Sequence, residues 1–256
     1  MPEGDTILRT ARTLGAWLDG REVTAAQGRG LGAHARKLVG RTVERVEARG
    51  KHLLIRLDRG LVVHTHMRMS GSWHVYSAGE RWRRPQHEAR LVVECGERVA
   101  VCFNAPVVEL LVEREEPAHP ALSGLGPDVL ARPLDLDAIR ARARGRPSDT
   151  AMAELLLDQR VVAGIGNIYR SEALFLRGID PWTTLAQLDD AALDALVSTA
   201  AALMHAAVAA NAATDRWVYR RARRPCRRCG TPISAKRTGE QARTVYWCTR
   251  CQPPIA

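Results

Sequence analysis

The sequence predicts an α+β multidomain protein, and three observations lead to this fold class. Between residues 42 and 113, short runs alternate apolar and polar residues, which is the period of half-buried β-strands. Between residues 149 and 210 the apolar residues recur at helical spacing instead. Two Cys-x-x-Cys pairs follow near the C-terminus. We therefore expect an N-terminal β-sandwich domain with flanking helices (1–124), a helical domain (125–215) and a zinc-finger hairpin (216–256).

Composition limits the class of protein. The chain has 256 residues, 46% of them hydrophobic, which suffices for a globular core. No run of 18 apolar residues occurs and the N-terminus is acidic, so we expect neither a membrane span nor a secretory signal. These features predict a soluble, cytoplasmic protein.

The charge indicates a polyanionic partner. The formal net charge is +10 and the isoelectric point is about 9.9. Residues 216–256 hold eleven Lys or Arg against one acid, Glu240, a concentration typical of phosphate-backbone binding. Arginine supplies nearly all of this charge, which can also reflect genomic base composition. The few lysines, Lys51 among them, are therefore conspicuous.

The first residues suggest covalent chemistry. Removal of Met1 leaves Pro2 with a free secondary amine, which is partly unprotonated at neutral pH and can form an iminium. Glu3 beside it can move protons. A helix is predicted over Asp5–Asp19, with Asp5 as N-cap and Gly20 as the stop. The alternative is that Pro2 merely follows the initiator Met and Asp5 only caps a helix.

The β-like runs predict a sandwich of about seven strands separated by Gly-rich turns. The runs are Thr42–Arg49, His52–Asp58, Leu61–Thr65, Ser72–Tyr76, Ala89–Glu94, Arg98–Phe103 and Val107–Glu113. Cys95 and Cys102 fall in two of them and are expected to be buried small hydrophobic residues. The basic segment Arg81–Pro85 is expected to be a solvated loop, and less readily a DNA contact.

We interpret the Pro-rich stretch over 124–148, which contains a short Arg-rich helix at Leu136–Arg144, as a linker and domain boundary. Further helices are predicted at Met152–Val162, Ile168–Leu176 and Asp189–Ala210, the last an Ala-rich packing helix. Gly164-Ile165-Gly166-Asn167 can be a simple helix break. Two glycines before a helix also present backbone N–H groups that suit a phosphate.

The C-terminal cysteines predict a metal site. Cys226, Cys229, Cys248 and Cys251 form two Cys-x-x-Cys pairs separated by eighteen residues, which is typical of one tetrahedral, structural Zn²⁺. Disulfides are the alternative, which the lack of a secretory signal disfavours. The segment between the pairs is expected to form a hairpin from Thr231–Ser234 and Arg243–Trp247.

Taken together, these motifs resemble the formamidopyrimidine-DNA glycosylase/endonuclease VIII family of bifunctional DNA repair enzymes. The resemblance runs from residue 1 to Cys251 in the order and spacing of the family. Its motifs are Met1-Pro2-Glu3-Gly4, Gly50-Lys51-His52-Leu53-Leu54, His66-Met67-Arg68-Met69-Ser70-Gly71, Leu157-Asp158-Gln159-Arg160, Gly164-Ile165-Gly166-Asn167-Ile168-Tyr169-Arg170-Ser171-Glu172 and Tyr246-Trp247-Cys248.

The resemblance implies a helix–two-turn–helix element in the helical domain, and roles for individual residues. It implies Pro2 as nucleophile, Glu3 as the proton-transfer group, Lys51 as a phosphate contact that assists β-elimination, and Arg243 as a phosphate grip that assists δ-elimination. Asn167 would bind backbone phosphate, with Tyr169 nearby among the DNA contacts. Met69 would fill the gap left by a flipped base, helped by Arg68 or Ser70. The implied partner is damaged double-stranded DNA, bound by a monomer.

The lesion class is less closely defined by the resemblance. The region Asn104–Glu109 lacks the Arg and Phe that the formamidopyrimidine branch carries there, which favours the endonuclease VIII branch and oxidised pyrimidines. Met69-Ser70-Gly71 looks more like the formamidopyrimidine branch, and Gly124 stands where some endonuclease VIII members carry Arg. Oxidised purines therefore remain an alternative substrate class. A non-catalytic zinc protein that binds damaged DNA is the alternative of another kind.

Overall fold

The computed structural model describes residues 2–212, 215–238 and 242–255. The chain divides into two compact units, Met1–Ser123 and Gly124–Ala256, here called the N-terminal and C-terminal units. The break lies one residue from the boundary expected at 124/125. Whether residues 216–256 form a separate domain stays a prediction.

Helix α1 (Gly4–Leu18) opens the N-terminal unit. Ile7, Leu14 and Leu18 are buried, as their helical spacing predicts. The predicted N-cap was wrong by two residues: Glu3 is the N-cap, and Asp5 lies in the first turn, where its carboxylate accepts a hydrogen bond from Arg9. Met1 and its removal lie outside the described residues. Glu3 is therefore held at an ordered helix start.

Two antiparallel four-stranded sheets form the rest of this unit. The strands are β1 (Ala25–Gln27), β2 (Val43–Arg49), β3 (His52–Leu57), β4 (Leu61–His66), β5 (Ser72–Ser77), β6 (Ala89–Cys95), β7 (Arg98–Phe103) and β8 (Val107–Val112). One sheet has the order β1-β6-β7-β5 and the other β2-β3-β4-β8. Residues of both sheets and of α1, such as Leu14, Leu53 and Leu91, share one core. The predicted β-sandwich is confirmed.

Seven strands were predicted to within one residue at each end, whereas β1 was not predicted. It has only three residues, too few to show an alternating pattern, and it forms through pairing with β6. Short 3₁₀ helices, also not predicted, lie at Gly32–Leu38, Asp58–Gly60, Gln86–Glu88, Glu113–Ala118 and, in the C-terminal unit, Leu185–Gln187.

Two smaller expectations about this unit are confirmed. Cys95 and Cys102 are 4% and 0% exposed. In the basic loop Arg81–Pro85, the side chains of Arg81 and Arg83 are exposed, as expected for a solvated loop. Trp82 anchors that loop by stacking on Tyr76, with ring centroids 6.2 Å apart.

The C-terminal unit contains α2 (Leu136–Arg144), α3 (Met152–Leu155), α4 (Asn167–Arg177) and α5 (Asp190–Ala209). The helix predicted over Met152–Val162 was too long, because the chain turns after Leu155 while Val161 and Val162 stay buried at helix-like spacing. By length and composition alone, α5 could cross a membrane. Leu196 and Met204 on it are nevertheless fully buried in the helical core, so we interpret it as the predicted packing helix.

Strands β9 (Ser234–Thr238) and β10 (Arg243–Trp247) form the C-terminal hairpin. The second strand was predicted correctly. The first was predicted at Thr231–Ser234 and lies further along the chain, because Pro225 and Pro232 instead make an isolated bridge at the base of the cysteine loop. Val245 on β10 belongs to the helical core, so the hairpin and the helices share one hydrophobic core.

Candidate active site

The predicted nucleophile and proton-transfer group lie at the start of α1. Pro2 is half-buried, and Glu3 is 1% exposed. The Glu3 carbonyl accepts the first helical hydrogen bond, from Ile7 N–H, at 3.1 Å. A carboxylate beside the helix start is favoured by the helix dipole. The start of α1 thus places Pro2 directly beside the buried Glu3 carboxyl group.

Lys51 occupies the tip of the β2–β3 hairpin. Arg49 pairs with His52, so Gly50 and Lys51 form a two-residue turn, and Gly50 has the positive φ of +60° that such a turn needs at its first position. Lys51 is half-buried. A short turn between two paired strands holds the lysine backbone far more firmly than a long loop does.

His66, at the end of β4, is close to the charges of Lys51 and Arg68. Its pKa is lowered to about 4, first because the imidazole is buried and then through the charges of Arg68, His64 and Lys51. The ring is therefore neutral at pH 7, and its Nδ1 accepts a hydrogen bond from Arg68 N–H at 3.2 Å. A neutral imidazole adds no further positive charge between the two cations.

A tight loop after β4, here called the wedge loop, contains Arg68, Met69 and Ser70, which are predicted to fill the gap left by a flipped base. Met69 is 70% exposed, although large apolar side chains are usually covered. Arg68 has a φ of +44°, and Ser70 Oγ donates to the Asn104 carbonyl at 3.3 Å. A Cβ on Gly71 would lie 2.7 Å from the Met67 carbonyl oxygen, so only glycine fits. The loop holds Met69 out into solvent.

Asn167 begins α4, after Gly164 with a φ of +104° and the N-cap Gly166. Its side chain is engaged within the protein. The amide Nδ2 donates to the Thr244 carbonyl at 2.9 Å, Arg170 donates to its Oδ1, and the residue is 9% exposed. These bonds tie the start of α4 to β10, next to the half-buried Arg243.

The side chain of Tyr169 is buried within the C-terminal unit. It is 1% exposed in the helical core, because position 169 lies on the inward face of α4. Arg216 lies over its ring, 5.7 Å from the centroid. This position shows that the side chain packs in the core, and the DNA contact expected of Tyr169 stays a prediction.

Sequence reasoning assigned no role to Glu172, which organises the approach to the cysteine hairpin. Its buried carboxylate accepts hydrogen bonds from the backbone N–H groups of Trp217, Val218 and Tyr219, at 2.7, 3.1 and 2.8 Å. The sequence carried one signal for this role, an acidic residue among the apolar residues of a predicted helix. A carboxylate buried at such a position requires several hydrogen-bond donors, so a structural role could have been expected.

The four C-terminal cysteines form a cluster that could hold a metal ion. All four Sγ atoms lie within 4.8 Å of one another, with Cys226–Cys251 at 3.9 Å and Cys229–Cys248 at 3.5 Å. Four thiolates at about 2.3 Å from a tetrahedral ion are about 3.8 Å apart. The donor set and the spacing therefore fit such an ion.

Comparison with protein families agrees with these units. The formamidopyrimidine-DNA glycosylase N-terminal domain matches residues 1–106, and the formamidopyrimidine-DNA glycosylase H2TH domain matches residues 125–217. The second match confirms the helix–two-turn–helix element expected from the motifs.

Curated relatives match nearly the whole chain. A probable endonuclease 8 2 of Streptomyces coelicolor is 40% identical over 98% of this chain and 94% of its own. Endonuclease 8 2 of Mycobacterium tuberculosis is 37% identical, over 98% and 100%. The DNA-(apurinic or apyrimidinic site) lyase Nei2 of Mycolicibacterium smegmatis is 34% identical, over 98% and 99%.

Among solved structures, Lactococcus lactis formamidopyrimidine-DNA glycosylase bound to DNA containing an abasic site superposes with a TM-score of 0.86. The two share 21% sequence identity, and the match covers 98% of this chain and 100% of that one. At this identity the likeness supports the fold alone.

Proposed function

Because the chain belongs to the formamidopyrimidine-DNA glycosylase/endonuclease 8 family of base excision repair enzymes, we propose that it removes oxidised pyrimidines from duplex DNA and then cuts the strand. As a family member it is a DNA glycosylase with abasic-site lyase activity. The observation that carries the proposal is the full-length relationship to endonucleases 8, combined with an intact Pro2-Glu3 pair at an ordered helix start.

The proposed chemistry starts from the Pro2 amine, once Met1 has been removed. Its nitrogen bonds to the sugar C1′ as the glycosidic bond breaks and the base leaves. Loss of the amine proton and opening of the sugar ring give an iminium. The iminium acidifies C2′–H, so loss of that proton breaks the bond from C3′ to the phosphate oxygen. In this scheme Glu3 transfers protons at the sugar.

Two cations complete the proposed chemistry. Lys51, on its short hairpin turn, contacts phosphate and assists β-elimination. Arg243, on β10, binds a second phosphate and assists δ-elimination. The bonds from Asn167 and Arg170 to the neighbouring Thr244 carbonyl support this role, because they fix the strand that carries Arg243.

The extruded nucleotide leaves a gap in the duplex. We propose that the Met69 side chain fills this gap, helped by its neighbours Arg68 and Ser70. The exposure of Met69 supports this assignment, since a wedge must be available to enter the base stack. The phosphate contact predicted for Asn167 passes to the backbone N–H groups in the first turn of α4, because the Asn167 side chain is bound within the protein. We propose that the protein acts as a monomer.

We propose that Cys226, Cys229, Cys248 and Cys251 hold one structural Zn²⁺. Four thiolates leave no open coordination position, so the ion shapes the hairpin and takes no part in the reaction. Removing zinc with a chelator is expected to lower DNA affinity, because the hairpin that presents Arg243 loosens. Fluorescence anisotropy on an abasic-site duplex, before and after chelation, measures the loss. Unchanged affinity in metal-stripped protein would rule out this role.

Borohydride trapping tests the proposed reaction. An iminium between Pro2 and the sugar is reduced to a stable amine, so protein and DNA become covalently linked. The protein, with its N-terminal residue first checked by intact mass, is incubated with thymine-glycol and abasic-site duplexes. We expect trapping by the wild type, with the DNA-linked peptide identified by mass spectrometry as the one that begins with Pro2. Binding without trapping by the wild type would overturn the mechanism.

Cleavage assays separate the remaining hypotheses. Side-by-side cleavage of thymine-glycol and 8-oxoguanine duplexes distinguishes pyrimidine from purine specificity. We expect faster cleavage of thymine glycol, because Asn104–Glu109 lacks the Arg and Phe of the purine-directed branch. A non-catalytic damage-binding protein would instead behave identically as wild type and as Pro2→Gly.

A further inference from the structure

Four of the eight histidines of the chain cluster in the N-terminal unit, three of them on the adjacent strands β3 and β4. His64 on β4 is directly opposite Glu109 on β8. His119 follows the 3₁₀ helix Glu113–Ala118 and approaches the same carboxylate. His52 and His66 flank His64. The proposed DNA chemistry assigns no role to His64, Glu109 or His119.

The spacing of three donor atoms in this cluster suits a metal ion. His64 Nδ1 and His119 Nε2 each lie 3.1 Å from Glu109 Oε2, and all three atoms are within 4.8 Å of one another. Bonds of about 2.0–2.2 Å to a first-row cation, at angles of about 90–110°, place neighbouring donors about 3.0–3.5 Å apart. Two of the three spacings already fall in this range.

The surroundings of His64 are those of a metal ligand. Metal-bound histidines almost always donate their second ring N–H to an acceptor, which fixes the ring. His64 Nε2 lies 2.8 Å from His52 Nδ1, and the His64 side chain is 1% exposed. With His64 Nδ1 on the ion, its Nε2–H donates to His52. The outer partner that such a ligand needs is therefore present.

The cluster is also open to solvent on one side. The Glu109 side chain is 44% exposed, so an ion can enter and water can fill its other coordination positions. Binding through His119 Nε2 moves the ring proton to Nδ1. That costs the 3.3 Å hydrogen bond from Ala121 N–H, which is a long one.

We propose that His64, Glu109 and His119 form a second metal site, separate from the four cysteines, for a divalent first-row transition-metal cation such as Zn²⁺. Two imidazoles and one carboxylate are a donor set that zinc, nickel, cobalt and iron accept. With three protein ligands, the site keeps exchangeable positions that the cysteine cluster lacks.

Metal stoichiometry tests this proposal without any DNA. The full chain is equilibrated with micromolar Zn²⁺, passed through a desalting column and assayed for metal per protein. We expect two equivalents in the wild type and one in both Glu109→Gln and His119→Gln. Loss of one ligand should weaken the second site by more than the roughly 10–100-fold that loss of an outer hydrogen-bond partner costs. Glu115→Gln is the matched control. It changes an exposed carboxylate on the 3₁₀ helix Glu113–Ala118, which precedes His119, and this variant should keep two equivalents.

Co²⁺ distinguishes the two sites by colour. Cobalt at four thiolates gives a strong thiolate-to-metal absorption band, whereas cobalt at two imidazoles and a carboxylate does not. The second equivalent should therefore add only weak visible absorption, and this addition should disappear in Glu109→Gln. A single equivalent in the wild type, or a second equivalent that survives in both variants, would overturn the proposal.

Discussion

At the scale of single residues, mutation of Met69 is expected to lower activity without lowering stability. Since it is 70% exposed, Met69→Ala should change the free energy of unfolding by less than about 0.5 kcal/mol. Its loss should lower kcat/KM on a thymine-glycol duplex by about tenfold, or about 1.4 kcal/mol, because the gap beside the extruded base is no longer filled. Single-turnover cleavage and urea unfolding measure the two effects.

The matched control for this change is Val39→Ala. Val39 is another exposed apolar residue of the same unit, at 46%, and lies outside the wedge loop. Its truncation should leave both quantities unchanged. The assignment of Met69 as a wedge would be wrong if the two variants cleaved the duplex equally fast.

A second residue-scale prediction concerns the glycine that closes the same loop. A methyl group on Gly71 would lie 2.7 Å from the Met67 carbonyl oxygen and 2.9 Å from the Ala105 Cα. Both are backbone atoms, which cannot move aside as the end of a flexible side chain can. Gly71→Ala should therefore destabilise the protein by about 1–3 kcal/mol. Gly145→Ala, whose methyl group would meet nothing closer than 3.5 Å, should have a much smaller effect in the same urea titration.

At the scale of elements, Glu172 joins α4 to the segment that leads into the cysteine hairpin. Glu172→Gln keeps the shape of the side chain but turns an N–H group toward backbone donors. One buried N–H loses its acceptor, at a cost of about 2 kcal/mol. Chemical unfolding measures this loss, and Glu154→Gln, an exposed carboxylate on α3, is the control. Equal stability of the two variants would contradict the role of Glu172.

The contrast between elements predicted and missed has a physical basis. On β3, every second residue (Leu53, Ile55 and Leu57) belongs to the core shared by the two sheets, so local periodicity revealed this strand. The three-residue β1 depends on pairing with β6, about 67 residues away, which no local pattern carries. The placement of His64 opposite Glu109 likewise follows from strand register, and motif spacing alone could not reveal it.

The candidate active site was predictable for a different reason. Its residues stand in short contiguous motifs whose local backbone has specific needs, such as the glycine in the Gly50-Lys51 turn. Long-range contacts were not accessible in this way. The hydrogen bond from the Asn167 side-chain amide to the Thr244 carbonyl spans 77 residues. The motif alone suggested that this amide binds a DNA phosphate, and it gave no sign of the bond to Thr244.

At the scale of the whole molecule, a net charge of +10 makes DNA binding sensitive to salt. The logarithm of the binding constant should fall linearly with the logarithm of salt concentration, by about 0.9 per phosphate neutralised. Arg243→Gln should reduce this slope by about 1. Arg59→Gln, which removes an arginine that is 76% exposed on the N-terminal unit, should leave it nearly unchanged. Identical slopes for the two variants would remove Arg243 from the phosphate contacts.

The shared core of the C-terminal unit has a consequence for how this part of the chain folds. Val245, eleven residues from the last position of the sequence, is fully buried in one core with helices that begin between 55 and 109 residues earlier. Asn167 and Arg170 then hold the adjoining Thr244 carbonyl. The helices therefore cannot complete their packing until the last strand has arrived. A truncated chain that lacks only β10 loses part of the helical core, so the hairpin and the helices unfold as one cooperative unit.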